Sequence, residues 1–154
     1  MVETVAFVGE FIGGVAGLGT IIYFAVQLRA NLNANRAQAL AAWTMAAQAE
    51  KEALYRDPEL SRLYREIVLE GKEPVGDEFV QFYALSTQFM NTWQLAFIQH
   101  RLGIMDSRLL DRVSSGYAIY LRSKHMLHWW REVGRGQYDL EFVDYVEKQL
   151  KGAD

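Results

Sequence analysis

His125 and His128 stand three residues apart, and Glu132 lies four beyond His128. On a helix, spacings of three and four bring side chains to one face, where two imidazoles and a carboxylate can hold a divalent metal. His-x-x-His on a helix is a common pattern by itself, and His100 could join only through tertiary contact. The reading preferred for the pair is a partly buried or interfacial one, with metal binding kept as its rival. Glu10 is the other residue that invites a chemical reading, as the single acid within a long apolar run. The serines, among them Ser61, Ser86, Ser107, Ser114, Ser115 and Ser123, sit in no nucleophile-elbow context. The carboxylates scatter over helix surfaces and caps, where ordinary pairing accounts for them. The chain has no cysteine, which excludes disulfides, thiolate metal sites and cysteine nucleophiles. No catalytic residues and no cofactor are therefore expected.

The elements that would carry these residues read as all-α. Val5 to Val26 is a mostly apolar run with a single charge, Glu10, and about 20 such residues suffice to cross the hydrocarbon core of a bilayer. A transmembrane helix with a short N-terminal tail is expected over residues 1–28. Arg29 and Arg36 follow the run and only acids precede it, so the N-terminus is expected outside and the remainder cytoplasmic. Gly9, Gly13 and Gly17 recur every four residues and line one side of that helix. Such faces let two helix backbones approach closely in lipid.

Residues 27–56 contain neither glycine nor proline, and ten alanines lie between Ala30 and Ala53. High helix propensity should carry the span onward as an extension over 29–56. Leu28, Leu32, Asn35, Ala39, Ala42 and Ala46, continued by Ala49 and Ala53, form a heptad seam suited to a second helix. The competing use of this stretch is packing on the chain's own domain through Leu40, Trp43, Ala47 and Leu54.

Residues 57–154 read as a small helical bundle. Asp57-Pro58-Glu59 is a helix start, and Gly71 ends that helix. Asp77 opens a long helix with Phe79, Phe82, Tyr83, Phe89, Met90, Trp93 and Phe97 on its apolar face, closed by Gly103. Asp106 and Asp139 cap two further helices, with a shorter one over 123–133 between them. Arg122, Lys124 and Arg131 flank Trp129 and Trp130, a combination suited to an anionic membrane surface; the reading preferred is a charged rim beside core tryptophans, with lipid contact kept as its rival. The net charge of −3 argues against nucleic acid as a partner.

Several stretches together resemble a family of small bacterial single-pass membrane proteins described as a domain of unknown function. They are Ile21-Ile22-Tyr23-Phe24-Ala25-Val26-Gln27-Leu28-Arg29 with the asparagine- and alanine-rich stretch around Arg36, then Asp57-Pro58-Glu59-Leu60. Arg101-Leu102-Gly103-Ile104-Met105-Asp106 follows, and Trp129-Trp130 upstream of Phe142. The resemblance covers nearly the whole chain and implies the bacterial inner membrane. It carries no catalytic residues, and the glycine-rich span departs from the usual pattern. The function expected is a membrane-anchored scaffold or accessory subunit, whose partners are the bilayer and either a second copy or a larger membrane complex. A channel or membrane-perturbing effector using Glu10 is the alternative, and a metal- or ligand-binding enzyme domain comes third.

Overall fold

The computed structural model describes residues 2–151, with side chains from residue 17 onward. Every regular element among the described residues is helical. Helix α1 (Val2–Arg56) runs through both the apolar and the alanine-rich stretches, as high helix propensity dictates where no proline intervenes. The chain divides within this helix into two compact units, Met1–Gln38 and Ala39–Asp154.

In the first unit, Leu18, Ile21, Ile22, Tyr23, Phe24, Val26 and Leu28 are each at least 60% exposed. At about 3.6 residues per turn these positions fall on every side of the helix. A Cβ added at Gly17 or Gly19 would meet nothing within 4 Å. Among the described residues no helix is long and apolar enough to cross a membrane. The expected span begins at Val5, and Gly9, Glu10 and Gly13 lie outside the residues whose side chains are described.

The second unit begins with the last turns of α1. Asp57 then caps α2 (Pro58–Leu63), its Oδ1 accepting from the N–H groups of Glu59 and Leu60. Beyond Leu63 the helix widens into a π-helical segment, Tyr64–Leu69, in which the Glu70 N–H reaches back to the Arg65 carbonyl. Gly71 ends it at φ +73°, a left-handed conformation that strains any residue with a Cβ.

Helix α3 (Asp77–Arg101) follows, then α4 (Ser107–Leu121), where Asp106 Oδ1 accepts from the Leu109 N–H at 2.9 Å. Next come α5 (Lys124–Glu132), a 3-10 turn over Gly134–Gln137, and α6 (Leu140–Lys151). Asp139 Oδ1 accepts from the Phe142 N–H at the start of α6.

The core is aromatic. Trp93 is fully buried, and its Nε1–H donates to Ser114 Oγ at 2.9 Å. Ser114 Oγ in turn lies 2.7 Å from the Tyr145 hydroxyl. The Tyr117 ring stacks on Trp93 with centroids 5.9 Å apart, and Phe142 meets it edge-on at 5.9 Å. Phe82, Phe89, Met90 and Phe97 of α3 are buried around this centre. Phe79, expected on the same face, is exposed in the first turn of the helix.

Trp129 and Trp130 correct the lipid-contact alternative, because both are buried. Neighbouring residues on a helix point about 100° apart, so both rings are covered only where a helix has neighbours on two sides. Helix α5 has them in the π segment, α3, α4 and the 3-10 turn. A Cβ at Gly134 would lie 2.9 Å from a ring carbon of each tryptophan, so this glycine is what lets the turn close over them. Trp130 Nε1–H donates to Glu147 at 3.0 Å. Arg122, Lys124 and Arg131 are exposed, as a charged rim beside core tryptophans.

Candidate functional site

Trp43, Ala47, Glu50 and Leu54 follow one another at spacings of four, three and four, so they share a face of α1. All lie in the second unit, where that face meets α3 and α4. Near its start, Gln99 of α3 donates from Nε2 to the Ala39 carbonyl at 2.6 Å. The packing on the chain's own domain expected of Trp43, Ala47 and Leu54 is therefore present, while Leu40 is exposed. Of the seam positions, Leu28, Leu32, Asn35 and Ala42 are exposed, and Ala39 and Ala46 are half-buried.

Between these turns of α1 and helices α3 and α4 lies a cavity of about 280 Å³. Its walls are mostly apolar and aromatic, with Trp43, Leu54, Phe89, Leu109, Val113 and Tyr120 among them. Lys51 and Arg112 also line it, and both are exposed.

Glu50 is the residue that sets this cavity apart. It is 5% exposed on a face otherwise apolar. Its Oε2 accepts from the Tyr117 hydroxyl at 2.7 Å. Its Oε1 is buried without a partner, and so is Trp43 Nε1. A buried polar atom left unpaired costs about 1–3 kcal/mol, so two of them in residues that border one cavity call for a reason.

Burial pushes the Glu50 carboxyl up to about 7, against the opposing pull of the Tyr117 hydrogen bond and the Lys51 charge. Burial first, and then the Glu50 charge, push the Tyr117 phenol up as well. The carboxyl therefore stands near half-protonated at neutral pH and can either accept or donate a hydrogen bond. Glu50, Lys51, Arg112, Tyr117 and Tyr120 supply the polar groups of the lining.

The histidines are placed elsewhere. His125 is buried, its Nε2–H donating to the Gly71 carbonyl at 2.9 Å. Its Nδ1 stands 3.5 Å from Glu73, which also pairs with Lys124 at 2.6 Å. His125 thus ties α5 to the loop after the π segment. His128 and Glu132 are exposed. No group of three histidine or acidic side chains able to hold a metal occurs among the described residues, so His125, His128 and Glu132 are not assembled as a metal site.

Glu50 is the functional candidate that motif reading missed. Its signal was periodicity: an acid in register with Trp43, Ala47 and Leu54 must enter the interface with them. Compared with family models, curated proteins and solved structures, the chain matches none.

Proposed function

We propose that the chain is a membrane-anchored helical scaffold or accessory subunit. Its apolar opening segment lies in the bilayer, and its second unit is presented on the cytoplasmic side. The observation that carries this reading is the girdle of exposed apolar side chains from Leu18 to Leu28. A helix that is apolar on every side is stable in hydrocarbon or buried in protein, and in water each such side chain forgoes about 1.5–3 kcal/mol of burial. The girdle continues the apolar run that starts at Val5, and the run as a whole has the length of a span. Arg29 and Arg36 after the run favour a cytoplasmic second unit. The family resemblance supports the bacterial inner membrane.

Self-association, or pairing with a larger membrane complex, is assigned to Gly9, Gly13 and Gly17. Glycine within a helix costs roughly 0.5–1 kcal/mol relative to alanine, and no neighbour within 4 Å requires it at Gly17. Close approach of another helix in lipid gives the glycines a use. Replacing Gly13 and Gly17 together by isoleucine is expected to convert the detergent-solubilised assembly to the mass of one chain, read by light scattering. An unchanged mass would remove the glycine face from the proposal.

A further inference from the structure

The turns of α1 that lie in the second unit, residues 39–56, are held down lightly. Among the described residues of α1, Glu50 is the only one buried; Ala39, Trp43, Ala46, Ala47, Ala53 and Leu54 are half-buried. Apolar attachment scales with the area removed from water, so small or half-covered side chains supply little of it. Among the described residues, two hydrogen bonds join these turns to α3 and α4. Gln99 Nε2 donates to the Ala39 carbonyl at 2.6 Å, and the Tyr117 hydroxyl donates to Glu50 at 2.7 Å. The cavity of about 280 Å³ borders the same face. At Asp57 the backbone is extended, with φ −104° and ψ 106°, which interrupts the helix between α1 and α2 and supplies a pivot.

The centre of this attachment is therefore an acid. When ionised, Glu50 keeps one hydrogen bond, from Tyr117, while its Oε1 is buried without a partner. A buried charge so poorly paired is costly. Burial pushes the carboxyl up to about 7 from 4.5, so between those values the docked face holds a proton that a hydrated Glu50 releases. The groups around it do not cancel this. Lys51, on α1 itself, pulls the other way, but less than burial pushes. On α4, Tyr117 donates to Glu50, and Arg112 and Tyr120 border the cavity. From α3, Phe89 and Thr92 meet Tyr117, and neither titrates.

We infer that residues 39–56 of α1 form a proton-controlled latch, held on α3 and α4 while Glu50 is protonated and opening more often once it ionises. Protonation supports the closed latch fully below 4.5, and that support is lost as pH rises through 7. Opening hydrates both carboxylate oxygens and uncovers the apolar lining that α3 and α4 contribute, including Phe89 and Val113. The centre around Trp93, where α3, α4 and α6 meet, stays closed. The latch lies wholly within the second unit and does not depend on how the first is housed.

The test is hydrogen exchange at two indole N–H groups, followed by NMR on the full chain in lipid nanodiscs. Trp43 Nε1 is buried and has no hydrogen-bond partner, so its exchange reports separation of the α1 face and not unwinding of the helix. Trp93 Nε1, buried and bonded to Ser114, reports the core. Each rate is divided into that of free indole at the same pH, which removes the direct effect of pH on exchange. Between pH 5.5 and 7.5, protection of Trp43 should fall about twentyfold, as expected for a carboxyl that passes from about 7 to 4.5 on opening. Protection of Trp93 should change less than about twofold, since local opening leaves the core intact. In Glu50→Gln, Trp43 should lose its pH dependence. Tyr117→Phe removes the one hydrogen bond that supports the carboxylate and should deepen the fall. A fall shared equally by both indoles, no fall at Trp43, the same fall in Glu50→Gln, or a shallower one in Tyr117→Phe would each overturn the latch.

Discussion

The stability gained by replacing Glu50 with glutamine is expected to be about 3 kcal/mol larger at pH 8.5 than at pH 4. The sign follows from proton binding. Burial lifts the folded-state carboxyl to about 7 from the ordinary value of 4.5. Between those values the folded chain holds a proton that the unfolded chain has released. The contribution of Glu50 to wild-type stability is therefore fully present below 4.5 and is lost as pH rises through 7. Above 7 the folded chain must house a carboxylate supported by the Tyr117 hydroxyl on one oxygen and by nothing on the other.

Glutamine retains an acceptor for Tyr117 and never ionises. Any cost of leaving its amide unpaired is the same at both pH values and cancels in the difference. Urea denaturation followed by tryptophan fluorescence, at both pH values for both proteins, measures the four stabilities needed. A pH-independent difference would mean that Glu50 titrates as a solvated acid and does not form a buried wall of the cavity.

Trp93→Ala is expected to lower the stability of the second unit by about 3–5 kcal/mol, the range for removing a large aromatic from a core. Trp93 is the place where α3, α4 and α6 meet. Its indole N–H is held by Ser114, Tyr117 stacks on it, and Phe142 and Tyr145 approach its edges. Truncation opens a cavity among rings that cannot collapse into it, and removes the donor that Ser114 faces. Against a typical total of about 5–15 kcal/mol, this loss should lower Tm by roughly 10–20 °C. Trp93→Phe keeps most of the volume and should show a smaller loss, dominated by the missing hydrogen bond. A loss below about 1 kcal/mol for the alanine variant would be at odds with a site this tightly packed.

Much of this bundle could be read directly from its residues. Asp57-Pro58, Asp106 and Asp139 begin helices because a carboxylate can satisfy the free N–H groups of a first turn. Gly71 and Gly103 end them because both occupy positive φ. These signals are local, and local chemistry decides them.

What depended on distant neighbours was not legible. The π segment at Tyr64–Leu69 carries no composition of its own, being a shift of hydrogen bonding within an ordinary helical sequence. Trp129 and Trp130 beside basic residues look the same from sequence whether they face lipid or core. What decides is the cover on both sides of α5, and Gly134 five residues on was its only local trace. Glu50 lay hidden in an alanine-rich stretch whose faces serve different ends: the seam through Leu28 and Leu32 is exposed, while the face through Trp43 and Leu54 packs inward.

The central claim, that the apolar opening of α1 lies in hydrocarbon, is tested most directly by a depth measurement. The chain has no cysteine, so nitroxide labels can be attached singly at Leu18→Cys, Ile22→Cys and Met45→Cys in reconstituted bilayers. All three positions are more than 60% exposed, which makes room for the label. Labels at 18 and 22 should relax faster with oxygen, which concentrates in lipid, than with a water-soluble nickel chelate; the label at 45 should do the reverse. Nickel dominating at 18 and 22 would place the segment in water and contradict the account.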